Sequence, residues 1–184
     1  MNQENAAKLL RDVHEVLSGM NKKHFLIDGT LLGAYREGGF IAHDTDTDMG
    51  VFFEEWTPVQ IFKLTTELGN RYIRLVHQLG DFDNYFEVSY RRDGIKIDLF
   101  FYRRQGPWRI FHSFQNGGRN LPADVITYEY KAELIEELGQ IGFMGMLLPV
   151  PQNIEAVLVA KYGPDWRVPV VKWDWKFDPK NVRK

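Results

Sequence analysis

The chain has 184 residues, 44% of them hydrophobic and 26% charged, with 23 basic against 25 acidic side chains for a formal charge of −2. That length suits one domain with its own core, and the balance excludes a mainly disordered chain and broad electrostatic binding to nucleic acid. Cysteine is absent, which rules out a disulfide framework, cysteine-ligated zinc and thiol catalysis, and suits a reducing compartment.

The opening MNQENAAKLLRD lacks the basic region and apolar run of a secretory signal. No stretch reaches the roughly 18 apolar residues of a spanning helix, so a cytoplasmic chain without a membrane span is expected. Over residues 4–20, Leu9, Leu10, Val13, Val16 and Leu17 recur at helical spacing and predict an amphipathic helix. His24 to Ile27 predicts a short buried strand that stops at Asp28-Gly29-Thr30. Leu31 to Arg36 predicts a short helix closed by Gly38-Gly39. The run from Asp44 begins with alternating Asp and Thr and leads into an apolar strand, Met49 to Phe53. Pro58 opens a second helix reaching about Asn70.

Three strands are expected next, Tyr72–Leu79, Tyr85–Arg92 and Ile95–Tyr102. The last two are joined by Asp93-Gly94, a strong hairpin signal because glycine accepts the positive φ of a type I′ turn. Trp108–Phe114 predicts a further strand and Gly139–Leu148 a second hairpin. Pro151 suits the first turn of a helix running to Tyr162, which Gly163-Pro164 ends. The tail, Trp173-Asp174-Trp175-Lys176-Phe177, is aromatic and fits no element. A strand-rich centre between helices reads as α+β, a mixed or antiparallel sheet covered on one face. Residues 1–184 form a single domain in this reading, without repeats or a linker.

The chemistry concentrates in residues 28–50. Asp44, Asp46 and Asp48 alternate, and in an extended chain they share one face. Three carboxylates side by side repel one another, and Asp is a poor strand former. A hard divalent cation such as Mg²⁺ answers both problems; a solvated acidic loop is the plain alternative. Asp44, Asp46, Asp48 and Glu55 also stand at calcium-loop spacing, but Met49 occupies the position where that loop needs glycine. Gly29-Thr30, between a strand and a helix, is a place where backbone N–H groups and a hydroxyl hold phosphate oxygens. Arg36, about two turns on, reaches toward the same phosphate or stays a surface arginine. Asp98 lies within an apolar strand, where a carboxylate is costly unless paired or metal-bound. A Lys96 ion pair is the ordinary answer; a third metal carboxylate or general base is the functional one. Tyr35, Trp56, Trp108 and Trp166 are candidates for stacking on a base or sugar, with packing the simpler role for each.

The run IDGTLLGAYREGGFIAHDTDTDMGVF resembles the signature of the LicD/fukutin family of nucleotidyltransferase-fold phosphotransferases. YFEVSYRRDGIKIDLFFY resembles that family's hairpin carrying a third carboxylate, and LLPVPQNIEAVLVAKYGPDWRVP its closing segment. The three motifs stand in the family's order across roughly residues 24–169. The departures are His43 and Thr45, where members often carry Trp and a second Asp, and Thr47 in place of an apolar residue.

The resemblance implies a nucleotidyltransferase-like α+β fold with a mixed central sheet flanked by helices, and a minimal catalytic domain without the family's zinc module or membrane anchor. It implies Asp46, Asp48 and Asp98 as catalytic residues and ligands of Mg²⁺ or Mn²⁺. Gly29, Thr30, Arg36 and Asp44 would bind substrate. The implied reaction moves a phosphocholine- or phosphoribitol-like group from a CDP-linked alcohol to a hydroxyl of a glycan or small-molecule acceptor and releases CMP. Two alternatives are a nucleotidyltransferase that adds a nucleoside monophosphate to a small molecule or protein, and a non-catalytic nucleotide- or glycan-binding module. Retention of the carboxylates argues against the last.

Overall fold

In the computed structural model, which describes residues 1–183, the chain opens with α1 (Gln3–Gly19). The Asn2 side chain accepts the Asn5 N–H at 3.0 Å and caps the helix. The predicted stripe of Leu9, Leu10, Val13 and Leu17 is fully buried. There follow β1 (His24–Leu26), α2 (Asp28–Arg36), β2 (Asp46–Phe52) and α3 (Pro58–Gly69). Pro58 stands in the first turn of α3 and Thr57 caps it. Then come β3 (Arg74–Asp81), β4 (Tyr85–Arg92), β5 (Ile95–Gln105), β6 (Trp108–Phe114) and β7 (Val125–Lys131). A short α4 (Ala132–Ile135), the hairpin β8 (Leu138–Phe143) and β9 (Met146–Pro151), and α5 (Ile154–Tyr162) complete the order.

The main sheet runs β1-β2-β5-β4-β3, with β6 pairing the far end of β5 and β7 pairing β6. Only β2 and β5 are parallel; the other pairs are antiparallel, so the sheet is mixed and the fold is α+β. The expectation of cover on one face is corrected. Asp12 of α1 meets Arg92 at 2.5 Å and Thr65 of α3 meets the Tyr90 hydroxyl at 2.9 Å, which places both helices on the back face. On the front, α2 bonds to Asp48 through Thr30, and α5 joins α2 through Lys161.

Several boundaries also differ, among them three that change a residue's role. Helix α2 starts at Asp28 rather than Leu31, so Gly29 and Thr30 lie in its first turn. Strand β2 starts at Asp46 rather than Met49, because the parallel ladder with β5 overrides the poor strand preference of Asp. Pro151 closes β9 instead of opening a helix; Asn153 caps α5, accepting the Ala156 N–H at 3.1 Å. Strand β7 has no counterpart in the sequence reading. It holds its place by pairing along all of β6.

Candidate active site

The register of the parallel pair builds the site. Asp46 stands opposite Lys96 and Asp48 opposite Asp98. On the other side of β5, Ser89 of β4 stands opposite Asp98 and Glu87 opposite Phe100. Residues directly opposite share a face, so Asp46, Asp48, Lys96, Asp98, Ser89 and Glu87 all point to the front of the sheet. Thr47 and Met49 point to the back and are fully buried there.

Each carboxylate has its own support. The Asp48 N–H donates to Thr30 Oγ1 at 2.8 Å, and the Thr30 N–H donates to Asp48 Oδ2 at 3.3 Å. Ser89 donates its hydroxyl to Asp98 Oδ1 at 2.6 Å. The Lys96 ammonium lies 2.7 Å from Asp98 and 3.2 Å from Asp46. Burial works against the Lys96 charge, but Asp98 and Asp46 outweigh it and hold its pKa up. Burial pushes the Asp98 pKa up as well, opposed by Lys96. Asp48 is held well above the usual carboxylate range by burial first, then by Asp46, Asp28, Asp44 and Asp98. Asp44 is pushed up to about 7 by burial and then by the Asp46 charge.

Gly29 serves close approach here. A Cβ on it would stand 2.5 Å from Asp44 Oδ2 and 3.4 Å from Asp48 Oδ2, so the first turn of α2 meets the acidic group with no side chain between. Asp28, just before it, adopts φ +51, a left-handed conformation uncommon for a non-glycine residue. Its carboxylate is buried 2.5 Å from the Lys161 ammonium, a charge pair with angles outside those of a regular hydrogen bond. Lys161 also lies 5.3 Å from the centre of the Tyr128 ring, within cation–π range. Arg36 donates to the Trp166 carbonyl at 3.1 Å and to Glu37 at 2.7 Å, while its Nε is buried without a partner.

These groups surround a cavity of about 740 Å³, within the range of small-ligand sites. Asp44, Asp46, Asp48, Asp98, Gly29 and Arg36 all line it. Thr30 does not: it is buried behind Asp48, with its N–H and its hydroxyl oxygen both engaged there. His43 is exposed at the rim. Of the aromatic candidates, only Trp166 lines the cavity. Trp56 packs on Phe101 at the back, Tyr35 donates to Glu155 at 3.2 Å, and Trp108 pairs with Lys131 on β7.

Buried carboxylate oxygens crowded on and beside a rigid sheet are the donor chemistry of a hard divalent cation. Among the described residues no three such side chains converge on a single point; the Lys96 ammonium stands between Asp46 and Asp98.

The family model for the LicD/FKTN/FKRP nucleotidyltransferase domain matches residues 21–153. The chain belongs to the LicD family. The ribitol-5-phosphate transferase FKTN of Mus musculus is 27% identical to this LicD domain over 182 residues, which is 98% of this chain and 37% of that protein; the Homo sapiens protein matches to the same extent. An uncharacterized protein of Caenorhabditis elegans is 30% identical over 97% of this chain and 47% of its own length. The LicD domain thus spans less than half the length of these curated relatives. Two solved structures share its fold. The antibiotic-resistance factor ANT(2″)-Ia in solution matches with a TM-score of 0.54 and 13% identity, over 95% of this chain and 79% of that one. The lincomycin-bound lincosamide antibiotic adenylyltransferase LnuA matches with a TM-score of 0.50 and 10% identity, over 83% of each chain. The domain therefore has the nucleotidyltransferase fold.

Sequence reasoning missed Glu87, Lys161, Trp173 and Trp175, all of which line the cavity. A lysine in the apolar helix IEAVLVAKY was readable as an anomaly of the same kind as Asp98.

Proposed function

We propose that this LicD domain transfers a polyol phosphate, of the ribitol phosphate kind, from a CDP-linked donor to a hydroxyl of a glycan, releasing CMP. The observation that carries this reading is the register that brings Asp46 and Asp48 of β2 beside Asp98 of β5 on one face of one cavity. The names of the FKTN relatives favour ribitol phosphate over phosphocholine.

In the proposed step the acceptor oxygen attacks the phosphorus that bears the alcohol, a new P–O bond forms, and the bond to the CMP phosphate breaks with its electron pair leaving on CMP. Asp46, Asp48 and Asp98 would hold Mg²⁺ or Mn²⁺, which supplies charge neutralisation to the phosphate oxygens. The chain's own residues do the rest. Gly29 lets the phosphates approach the first turn of α2, where backbone N–H groups and the helix dipole favour negative charge. Arg36, on the cavity wall, would offer its positive charge to the phosphates. Asp98 would accept the proton of the attacking hydroxyl. Thr30 positions Asp48. Asp44, half-buried beside Gly29, sits where the donor enters.

The test is a CMP-release assay with CDP-ribitol, CDP-glycerol and CDP-choline, with Mg²⁺ or Mn²⁺ and Asp46→Asn as the blank. Metal-dependent CMP release from a polyol donor, absent in the variant, is the expected result. Pyrophosphate release from a nucleoside triphosphate, with no CMP from any CDP compound, would overturn the reading in favour of nucleotidyl transfer.

A further inference from the structure

The tail Trp173-Asp174-Trp175-Lys176-Phe177 forms no helix or strand, yet it is tied to the domain at Trp175 and again just beyond its end. Tyr128 on β7 donates its hydroxyl to the Trp175 carbonyl at 2.6 Å. The Asp174 N–H donates to Asp178 Oδ2 at 2.7 Å, and the Asp174 carboxylate accepts the Lys176 N–H at 2.9 Å. Farther on, the Lys180 N–H donates to the Lys161 carbonyl of α5 at 2.8 Å, and the Glu129 N–H of β7 to the Asn181 carbonyl at 2.9 Å. These bonds fix a segment that leaves much of its own aromatic surface in water: Trp175 is 40% exposed. A pinned indole facing solvent keeps a large part of its burial energy unrealised until something covers it.

Trp173 and Trp175 line the same cavity as the carboxylates. The Trp173 ring packs on Tyr162, their centres 4.8 Å apart. The acidic side of the cavity belongs to β2 and β5. The aromatic side belongs to the tail, pinned on β7 and α5, and the strand order places β5 and β6 between β2 and β7. With a divalent cation held by the carboxylates, as in the donor reading above, a ligand that fills both sides has an anionic end that meets the cation and a flat, apolar end. A polyol phosphate has the first only. A nucleotide has both, because every nucleobase presents a π-face to an aromatic side chain.

We propose that Trp175, with Trp173 held against Tyr162, forms the subsite that stacks on the nucleobase of the donor. The assignment rests on the nucleotide-donor reading above and adds where the base lies. Stacking acts on the base alone, so it raises affinity for a nucleotide without raising it for the sugar phosphate stripped of its base.

The experiment is titration calorimetry of the whole chain with CMP and with ribose 5-phosphate, in the presence of Mg²⁺, for wild type, Trp175→Ala, Trp175→Phe and Trp173→Ala. Circular dichroism and thermal unfolding check each fold. Wild type is expected to bind CMP more tightly than ribose 5-phosphate. Trp175→Ala should weaken CMP about tenfold while leaving ribose 5-phosphate unchanged, and Trp175→Phe should recover most of the loss. Equal weakening of both ligands in folded Trp175→Ala, or no weakening of CMP in either alanine variant, would overturn the subsite and leave the donor reading standing. Failure of wild type to bind CMP at all would overturn the donor reading and the subsite with it.

Discussion

Glu87 is buried on the front of β4, with one carboxyl oxygen lacking any partner and a pKa pushed from 4.5 up to about 8, by burial first and the Asp98 charge second. A carboxyl with a raised folded pKa binds more protons folded than unfolded between the two values. Its contribution to stability is therefore complete below about pH 4.5 and is lost as pH rises through about 8. The loss is of the order of 5 kcal/mol at 1.36 kcal/mol per unit. Glu87→Gln keeps the shape and removes the charge. Urea unfolding should find it close to wild type at about pH 4 and more stable at about pH 9. A variant that follows wild type at both pH values would show that Glu87 carries no buried charge to relieve. Glu87 escaped the sequence reading because YFEVSY alternates like any half-exposed strand, and only the placement of β4 inside the sheet puts its polar side against the cavity.

Between elements, the tie that sets the site is the reciprocal bond of Thr30 and Asp48, which fastens the first turn of α2 to β2. The hydroxyl accepts the Asp48 N–H in a buried place. Thr30→Val keeps the shape and removes that acceptor, so it should cost about 1–3 kcal/mol by leaving the Asp48 N–H unpaired. Thr30→Ser should restore most of this. Denaturant unfolding reads the stability, and CMP release reads the aim of Asp48; equal stability in Thr30→Val and wild type would rule out the tie. The sequence suggested Thr30 as a phosphate ligand, because a Gly-Thr pair after a strand carries that meaning in isolation; the fold turns it toward Asp48 instead. The hydroxyl's direction was decided by β2 arriving beside α2. The Asp46–Asp48 pair was legible because period-two alternation alone puts both on one face. Their meeting with Asp98 was not, because the order β2-β5 comes from a parallel crossover that local sequence does not encode.

Across the whole molecule, the buried Lys161–Asp28 pair joins the last helix to the first turn of α2. Both groups have left water, so removing one leaves the other uncompensated. Lys161→Met is expected to destabilise the domain by about 3–5 kcal/mol, while Lys161→Met with Asp28→Asn should recover much of the loss, since replacing both charges removes the desolvation penalty along with the attraction. Chemical denaturation of the two single variants and the double gives the coupling directly. Strictly additive losses would mean that the pair does not hold α5 in place. The same helix end receives the tail through Lys180, so loosening α5 also loosens the aromatic wall of the cavity.

By itself the sequence determined what depends on near neighbours: the amphipathic first helix, the Asp93-Gly94 hairpin, the strand positions of Tyr85–Arg92 and Trp108–Phe114, and the carboxylates that alternation places side by side. Periodicity, turn chemistry and the order of family motifs are all written along the chain. The tertiary structure decided the rest: helices on both faces, a strand at Val125–Lys131, Thr30 turned toward Asp48, Lys161 beside Asp28, and the tail against the cavity. Each of these joins elements distant in sequence, where the choice of partner is made by burial and by the pairing of charges that have left water. Those forces act only after the chain has closed on itself.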